Sequence, residues 1–254
     1  MAHEPLIDIT GLCKRYDQVL AVDKLDFQVA AGTVLGLVGP NGAGKTTSMR
    51  CMTGIIPATA GRLRIAGHDL ETEAVEAKRH LAFVPDTPHL FDYLTVEEHM
   101  RFSGRVYGIA DVEQRMDRLL AEFELSDRRG YLPGALSRGM KQKAAICMAF
   151  LHDPVAIFLD EPLTGLDPIG IRAMKDSIVA RASDHGAAVV VSSHQLELIE
   201  EICDEIFVIQ NGRKIIAGTI AQIRSELVGL PDEPTLEDIF FNLTDAGRRA
   251  GASE

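Results

Sequence analysis

The chain has 254 residues, of which 46% are hydrophobic and 25% are charged, the proportions of an ordinary soluble globular protein. This length favours one large α/β domain with a smaller subdomain or tail over two independent domains. The formal net charge of -11 argues against non-specific nucleic-acid binding, which needs clustered Lys and Arg facing phosphates. We therefore expect no nucleic-acid partner.

Cysteine spacing and hydropathy narrow the setting further. The four cysteines are Cys13, Cys51, Cys147 and Cys203. They form no C-x-x-C pair, so neither a zinc site nor a disulfide framework is indicated. A reducing cytosol is the simplest setting, and residues 1–10 lack the positive start and apolar stretch of a signal peptide. The most apolar runs, residues 34–39 and 187–191, are far shorter than the roughly 20 residues that cross a bilayer. Any membrane role is expected to go through a partner.

Short β-branched runs alternate with helical patterns along the chain, which predicts a largely parallel sheet flanked by helices. The predicted strands are residues 25–30, 33–39, 62–66, 81–85, 155–160 and 187–192. The predicted helices beside them include residues 44–56 and 168–184. Asn211 and Gly212 separate two further short runs and suit the two-residue turn of a hairpin.

A helix-rich insertion is predicted between the two halves of this sheet, at about residues 88–153. Thr95, with Glu98 three residues later, has the pattern of a capping box at a helix start. Residues 111–125 supply a second amphipathic stretch, and a third helix is expected to follow Ser137.

The sequence GPNGAGKT at residues 39–46 follows a predicted strand and opens a predicted helix, the context that a phosphate-binding P-loop requires. Its glycines allow backbone N–H groups to close around phosphate oxygens. Lys45 is expected to reach the β- and γ-phosphates, and the Thr46 hydroxyl to ligate Mg2+. The predicted nucleotide contacts are Gly39, Pro40, Asn41, Gly42, Ala43, Gly44, Lys45, Thr46 and Thr47.

Two carboxylates, Asp160 and Glu161, end the hydrophobic run at residues 155–159. Such an ending suits metal chemistry beside a phosphate site. Asp160 would hold Mg2+ directly or through water, and Glu161 would orient and deprotonate the attacking water. A strand that merely ends at the surface is the alternative, which the presence of the P-loop disfavours.

These motifs, together with those that follow, resemble the ATP-binding cassette (ABC) family from about residue 6 to residue 218. Residues 136–142, LSRGMKQ, are similar to the family signature, with Arg138 where the commonest form has Gly. Ser137 and Gly139 match the positions that, in the family, face the ATP bound to the partner subunit. A hydroxyl and free N–H groups at a helix N-terminus suit an anion, although Ser137 would equally suit an ordinary helix cap.

Three more residues match the family by their order in the chain. Residues 164–167 resemble the D-loop, whose Asp167 is expected to cross the dimer interface; a tight turn before the next helix is the alternative. His194 matches the switch histidine that contacts the γ-phosphate, and Tyr16 lies where the family stacks an aromatic ring on adenine. The catalytic residues that the resemblance implies are Lys45, Glu161 and His194.

Asp86 is a departure, because the family usually has at this position a Gln whose amide oxygen helps to ligate Mg2+. Asp is one methylene shorter, so Asp86 is expected to reach the ion only through water. The following Leu90, Phe91 and Tyr93 would form an apolar groove for a helix of a transmembrane partner, although apolar residues here are equally typical of a core. The predicted metal ligands are Thr46, Asp86 and Asp160.

The resemblance implies an α/β fold: a P-loop NTPase core with a mostly parallel sheet, an N-terminal antiparallel β subdomain and an inserted helical subdomain. It implies an ABC ATPase domain over residues 1–220, with the helical subdomain, about residues 88–153, inserted in the RecA-like core. Residues 221–254 are expected to form a helical C-terminal appendage, in which Thr235 caps a helix over residues 236–243.

The function implied is that of the ATP-hydrolysing subunit of an ABC transporter, with ATP and Mg2+ as its ligands. The expected partners are a transmembrane permease and a second nucleotide-binding subunit, either another copy or a close paralogue. This places the chain at the cytoplasmic face of the cell membrane. The variant signature, Asp86 and the tail sequence LEDIF at residues 236–240 are similar to exporter-type subunits. The alternative is a soluble ABC ATPase acting on ribosomes or nucleic acid, which the short stretch between Lys45 and Ser137 disfavours.

Overall fold

The computed structural model describes residues 4–226, 235–238 and 240. Its strands are β1 (Ile7–Tyr16), β2 (Val19–Val29), β3 (Val34–Val38), β4 (Ala60–Ile65), β5 (His68–Asp69), β6 (Leu81–Val84), β7 (Ala156–Asp160), β8 (Ala188–Ser192), β9 (Glu205–Gln210) and β10 (Arg213–Thr219). Its helices are α1 (Lys45–Met52), α2 (Ala74–Arg79), α3 (Val96–Tyr107), α4 (Val112–Glu122), α5 (Arg138–Phe150), α6 (Pro168–Ser183), α7 (Leu196–Ile202) and α8 (Ile220–Glu226). No helix within these residues is long and apolar enough to cross a membrane.

Two sheets form the framework. The larger has the order β10-β9-β3-β8-β7-β6, and only the β9–β10 hairpin in it is antiparallel. The smaller sheet has the order β2-β1-β4-β5 and is antiparallel throughout. A mostly parallel sheet beside an antiparallel one agrees with the predicted fold class.

The central strands β3, β7 and β8 are buried at every position. Continuous apolar runs are typical of parallel strands that are covered on both faces. Because parallel strands end at the same edge of a sheet, the segments that follow β3, β7 and β8 are brought together there.

Helices α3, α4 and α5 come between β6 and β7 in the chain, within the predicted insertion. Met116 and Leu120 of α4 belong to the same buried cluster as Ile146 and Phe150 of α5. Burial of these apolar side chains stabilises the helices against each other. The limits of the ATPase domain, its helical insertion and the C-terminal appendage stay a proposal.

The structure differs from the sequence prediction in several elements. Strand β2 begins at Val19, six residues before the predicted strand at residues 25–30, and two further differences have a local cause. The helix predicted over residues 44–56 ends at Met52, because Gly54 takes a left-handed φ of 64°. Strand β1 was missed, since register shifts after Ile9 and Leu12 interrupt the alternation of buried and exposed side chains.

The described part of the C-terminal appendage packs on the core. Leu236 is 1% exposed and belongs to the main apolar cluster. The Asp238 N–H donates to the Thr235 hydroxyl oxygen at 3.2 Å, which confirms the capping contact predicted there. The remainder of the predicted appendage, residues 227–234, 239 and 241–254, lies outside the described residues.

The predicted capping box at α3 is confirmed. The Glu98 N–H donates to Thr95 Oγ1 at 3.3 Å, and the Thr95 N–H donates to Glu98 Oε2 at 2.8 Å. Two hydrogen bonds hold the pKa of the Glu98 carboxyl below its usual range. The bond from the Thr95 N–H has the larger effect, and the bond from the Thr95 hydroxyl has the smaller one.

We expect Thr95→Ala to lower the free energy of unfolding by about 1 kcal/mol, the usual cost of losing such a cap. The difference from wild type should narrow as the pH falls through the lowered pKa of Glu98, because a protonated carboxyl no longer gains from the hydroxyl. Urea unfolding at neutral and acid pH measures both effects, with the exposed Thr72→Ala as the control. Equal stability of the two variants at neutral pH would contradict the assignment.

Candidate functional site

The phosphate-binding loop connects buried strand β3 to helix α1. At two of its glycines the loop backbone lies very close to the backbone of neighbouring segments. A Cβ on Gly39 would lie 2.3 Å from the Ile209 carbonyl oxygen. Gly44, which precedes α1, has a φ of 106°, and a Cβ there would lie 2.7 Å from the Ala21 oxygen. Only glycine fits at these two positions. The first N–H groups of α1, which have no partner within the helix, can therefore face an anion.

Lys45 is a buried cation held by its own loop. It is 8% exposed, and its Nζ donates to the Gly39 carbonyl at 2.6 Å and the Pro40 carbonyl at 3.2 Å. Burial lowers the pKa of the Lys45 ammonium, an effect that the Glu161 and Asp160 carboxylates oppose. Phosphate oxygens would give this ammonium charged acceptors in place of neutral ones.

One cleft gathers most of the residues that the sequence assigned to the nucleotide. It is lined by Ala21, Asn41, Gly42, Ala43, Gly44, Lys45, Thr46, Thr47, Asp86, Asp160 and Glu161. The side chains of Thr46 and Asp160 fit Mg2+, which prefers oxygen ligands and is usually shared between one or two protein groups and substrate phosphates. Across the described residues, no group of three or more His, Cys, Asp or Glu is arranged to hold a metal ion by itself.

The two carboxylates at the end of β7 are fixed by a residue that the sequence analysis missed. The hydroxyl of Ser192, at the end of β8, donates to Asp160 Oδ1 at 2.5 Å. The Glu161 N–H donates to the Ser192 hydroxyl oxygen at 3.2 Å and to the Ser192 carbonyl at 3.1 Å. No motif marks Ser192, and only the pairing of β7 with β8 brings it to this place.

His194 and Glu161 are in direct contact. Nδ1 of His194 lies 2.8 Å from Oε2 of Glu161. Since a carboxylate only accepts, Nδ1 carries the proton of this bond, and Nε2 is left for another partner. Nε2 can then donate to a phosphate oxygen only when the imidazole is protonated; otherwise it accepts.

Ser137, Gly139 and Asp167 lie together in a second, separate cleft, which Lys143 also lines. The Met140 N–H donates to Ser137 Oγ at 3.2 Å, so Ser137 caps α5. A Cβ on Gly139 would lie 2.4 Å from the Gly165 oxygen, so the signature segment packs closely on residues 164–167. None of the three residues lines the cleft of Lys45.

Asp167 caps α6, with its Oδ1 accepting from the Gly170 N–H at 2.7 Å. Nζ of Lys143 lies 3.4 Å from the same oxygen and 3.7 Å from Glu124 Oε2. The hydrogen bond from the Gly170 N–H is the main cause that holds the pKa of Asp167 below its usual range, and the charge of Lys143 adds to it. Sequence reasoning missed Lys143, which follows the signature motif directly.

The two departures from the family pattern contact each other. Nη2 of Arg138 lies 3.3 Å from Oδ1 of Asp86. Both side chains are about half exposed, so the pair contributes on the order of 1 kcal/mol or less. Asp86 therefore lies at the predicted cleft, but metal ligation by it would compete with Arg138.

Tyr16 is not among the residues that line the cleft of Lys45. Its ring is 45% exposed, and Nζ of Lys14 lies 4.9 Å from the ring centroid. An exposed aromatic face with a cation beside it is available for stacking.

An apolar groove of about 280 Å³ runs between the sheet and the inserted helices. Leu90 lines it, together with Tyr107, whose ring stacks on that of His152 with centroids 3.8 Å apart. Phe91 and Tyr93, which the sequence placed in the same groove, lie outside it and are 61% and 91% exposed.

We expect Lys45→Met to abolish nucleotide binding while leaving folding intact, because the substitution removes a buried charge and keeps a similar volume. Binding of a fluorescent ATP analogue and the melting temperature without nucleotide measure the two effects separately. Lys24→Met, at an exposed position of β2, is the control. Nucleotide affinity equal to that of wild type would contradict the role given to Lys45.

Comparison with known proteins agrees with this geometry. The family model described as ABC transporter matches residues 22–164. The ABC-type transporter ATP-binding protein EcsA of Bacillus subtilis is 32% identical over 95% of this chain and 98% of that protein. The Nod factor export ATP-binding protein I of Ralstonia nicotianae is 34% identical over 89% of this chain and 70% of that protein.

A solved structure of the ATP-binding subunit of an ABC transporter superposes with a TM-score of 0.88 at 34% identity, covering 94% of this chain and 99% of that one. The predicted family and fold class are thus confirmed, as is the ATPase activity that the family shares. The chain belongs to the ABC transporter family and is the ATP-binding, ATP-hydrolysing subunit of such a transporter.

Proposed function

We propose that this subunit powers export through a separate transmembrane permease, working as a head-to-tail pair of nucleotide-binding subunits. The observation that carries the proposal is the division of the site between two clefts. Lys45 and Glu161 lie in one, and Ser137 and Gly139 lie in the other. A second subunit, another copy or a close paralogue, would bring its signature cleft against the ATP in the first.

The signature cleft suits the terminal phosphate of an ATP held elsewhere. Ser137 is exposed and its hydroxyl keeps its proton for donation, because the Met140 N–H uses only a lone pair. The N-terminal end of α5 adds its partial positive charge. Closing two such subunits would neutralise phosphate charge that the first cleft leaves exposed, so closure can itself start hydrolysis.

Residues in and around the first cleft have distinct parts in hydrolysis. Lys45 binds the β- and γ-phosphates, and Glu161 accepts a proton from the attacking water. His194 holds the Glu161 carboxylate through the 2.8 Å bond from Nδ1, and its Nε2, when it also carries a proton, donates to the γ-phosphate. Thr46 and Asp160 would hold Mg2+, which would supply charge neutralisation at the phosphates. Tyr16 would stack on adenine, and Asp167 would lie at the subunit interface.

The permease is proposed to dock at the groove lined by Leu90 and Tyr107. Phe91 and Tyr93 extend this surface with exposed aromatic faces, a composition typical of protein contacts. Asp86 lines the nucleotide cleft and precedes Leu90 of the groove by four residues. A shift of the permease at the groove can therefore be transmitted to the nucleotide cleft through residues 86–90. Docking there would place the chain at the cytoplasmic face of the membrane. The relative named for Nod factor export supports the direction of transport.

We expect the tagged chain, purified gently from detergent-solubilised membranes of its own cells, to bring a multi-span membrane protein with it. The complex should hydrolyse ATP, and Glu161→Gln should reduce turnover by about 100-fold or more while ATP binding persists, since only the proton acceptor is lost. Mass spectrometry and ATPase assays measure both, and Glu71→Gln, at an exposed turn, is the control.

Recovery of ribosomes or nucleic-acid factors in place of a membrane protein would contradict the transport proposal. Near-normal turnover of Glu161→Gln would contradict the role of Glu161, whatever the partner.

A further inference from the structure

The Ser192 hydroxyl lies between the two carboxylate residues on which hydrolysis depends. It is fully buried at the end of β8, where it pairs with Asp160 of β7 in the parallel ladder. Its oxygen is 2.5 Å from Asp160 Oδ1 and 3.2 Å from the Glu161 nitrogen. The same hydroxyl therefore contacts the proposed metal ligand and the backbone of the proposed general base.

The direction of both hydrogen bonds follows from the partners. A carboxylate accepts and an amide N–H donates, so the single hydroxyl proton points to Asp160 and an oxygen lone pair accepts from Glu161. A short bond from a hydroxyl to a carboxylate is among the stronger hydrogen bonds of proteins, and here both residues are buried. This bond engages Oδ1 of Asp160 and leaves Oδ2 as the freer oxygen for a metal ion.

The bond to Glu161 fixes an unusual backbone conformation. Glu161 has a φ of 50°, in the left-handed region that residues with a side chain rarely adopt. Its N–H is shared between the hydroxyl and the carbonyl of Ser192, and its carboxylate then meets His194. Strained backbone of this kind persists only where its surroundings hold it, and such positions cluster at active sites.

We propose that Ser192 is a positioning residue for ATP hydrolysis, which sets the Asp160 carboxylate toward the metal and the Glu161 carboxylate toward the attacking water. The proposal rests on the function proposed above for Glu161 and Asp160. Ser192 touches neither ATP nor water in this role; it acts through the two residues that do. A valine, the residue type at Val189, Val190 and Val191 before it, would fill the strand but supply no hydrogen bond.

The test compares Ser192→Ala and Ser192→Cys with Ser177→Ala in the purified complex. Cysteine fills the buried site with a somewhat larger sulfur atom but is a weak donor, so it supplies a second variant if the alanine variant does not fold. Ser177 is a matched control, a buried serine of α6 whose hydroxyl has no hydrogen-bond partner among the described residues. Melting temperatures show which variants are folded.

The expected result for both Ser192 variants is a fall in kcat of about 10- to 100-fold with the KM for ATP little changed, because groups of this kind position and do not bind substrate. The second readout is Mn2+ affinity in the presence of a non-hydrolysable ATP analogue, followed by electron paramagnetic resonance. It should weaken about 10-fold, the usual effect of losing a hydrogen bond to a metal ligand. Ser177→Ala should match wild type in both.

A folded Ser192 variant with wild-type kcat and wild-type Mn2+ affinity would overturn the proposal. So would a loss of activity that Ser177→Ala shares. Glu161→Gln, measured beside these variants, distinguishes the role proposed for Glu161 from the role proposed for Ser192. If Glu161→Gln stays active, the proposed role of Glu161 fails. If Glu161→Gln is inactive while Ser192→Ala is normal, only the role of Ser192 fails.

Discussion

Parallel pairing of β3, β8 and β7 is the constraint on which the site depends. In this ladder Ser192 of β8 pairs with Leu37 of β3 on one side and with Asp160 of β7 on the other. The three strands therefore end at one edge, and the chain that continues from them carries the phosphate loop, Glu161 and His194. Residues far apart in sequence meet because their strands share a direction.

Burial then decides the electrostatics at that edge. The Lys45 ammonium is removed from water and held by two neutral carbonyls, with two carboxylates close enough to raise its pKa against the effect of burial. Such a cation gains more from phosphate oxygens than an exposed one would, because less water has to be displaced from it. The acidic charge of the whole chain does not oppose this, since the first turn of α1 and Lys45 act locally.

The sequence was sufficient to predict the fold and most of the cleft. Motifs such as residues 39–46 determine their backbone conformation locally, through glycines and their place between a strand and a helix. It did not predict contacts that arise only through space. Ser192 lies in an apolar run with no motif, and Lys143 reaches Asp167 across an interface between two helices. Asp86 was expected at the metal, but the sequence did not show that Arg138, the other departure from the family, would pair with it.

The central claim is that each ATP is shared between two subunits, and cross-linking tests it most directly. Two differently tagged chains, one carrying Asn41→Cys and the other Ser137→Cys, would be placed together in membranes with the permease, both in the Glu161→Gln background. With a short bifunctional thiol reagent, the account predicts a product containing both tags that accumulates only when Mg2+ and ATP are added. Chains without the introduced cysteines are the control. A product with both tags that forms equally without ATP, or none at all with it, would contradict the shared site.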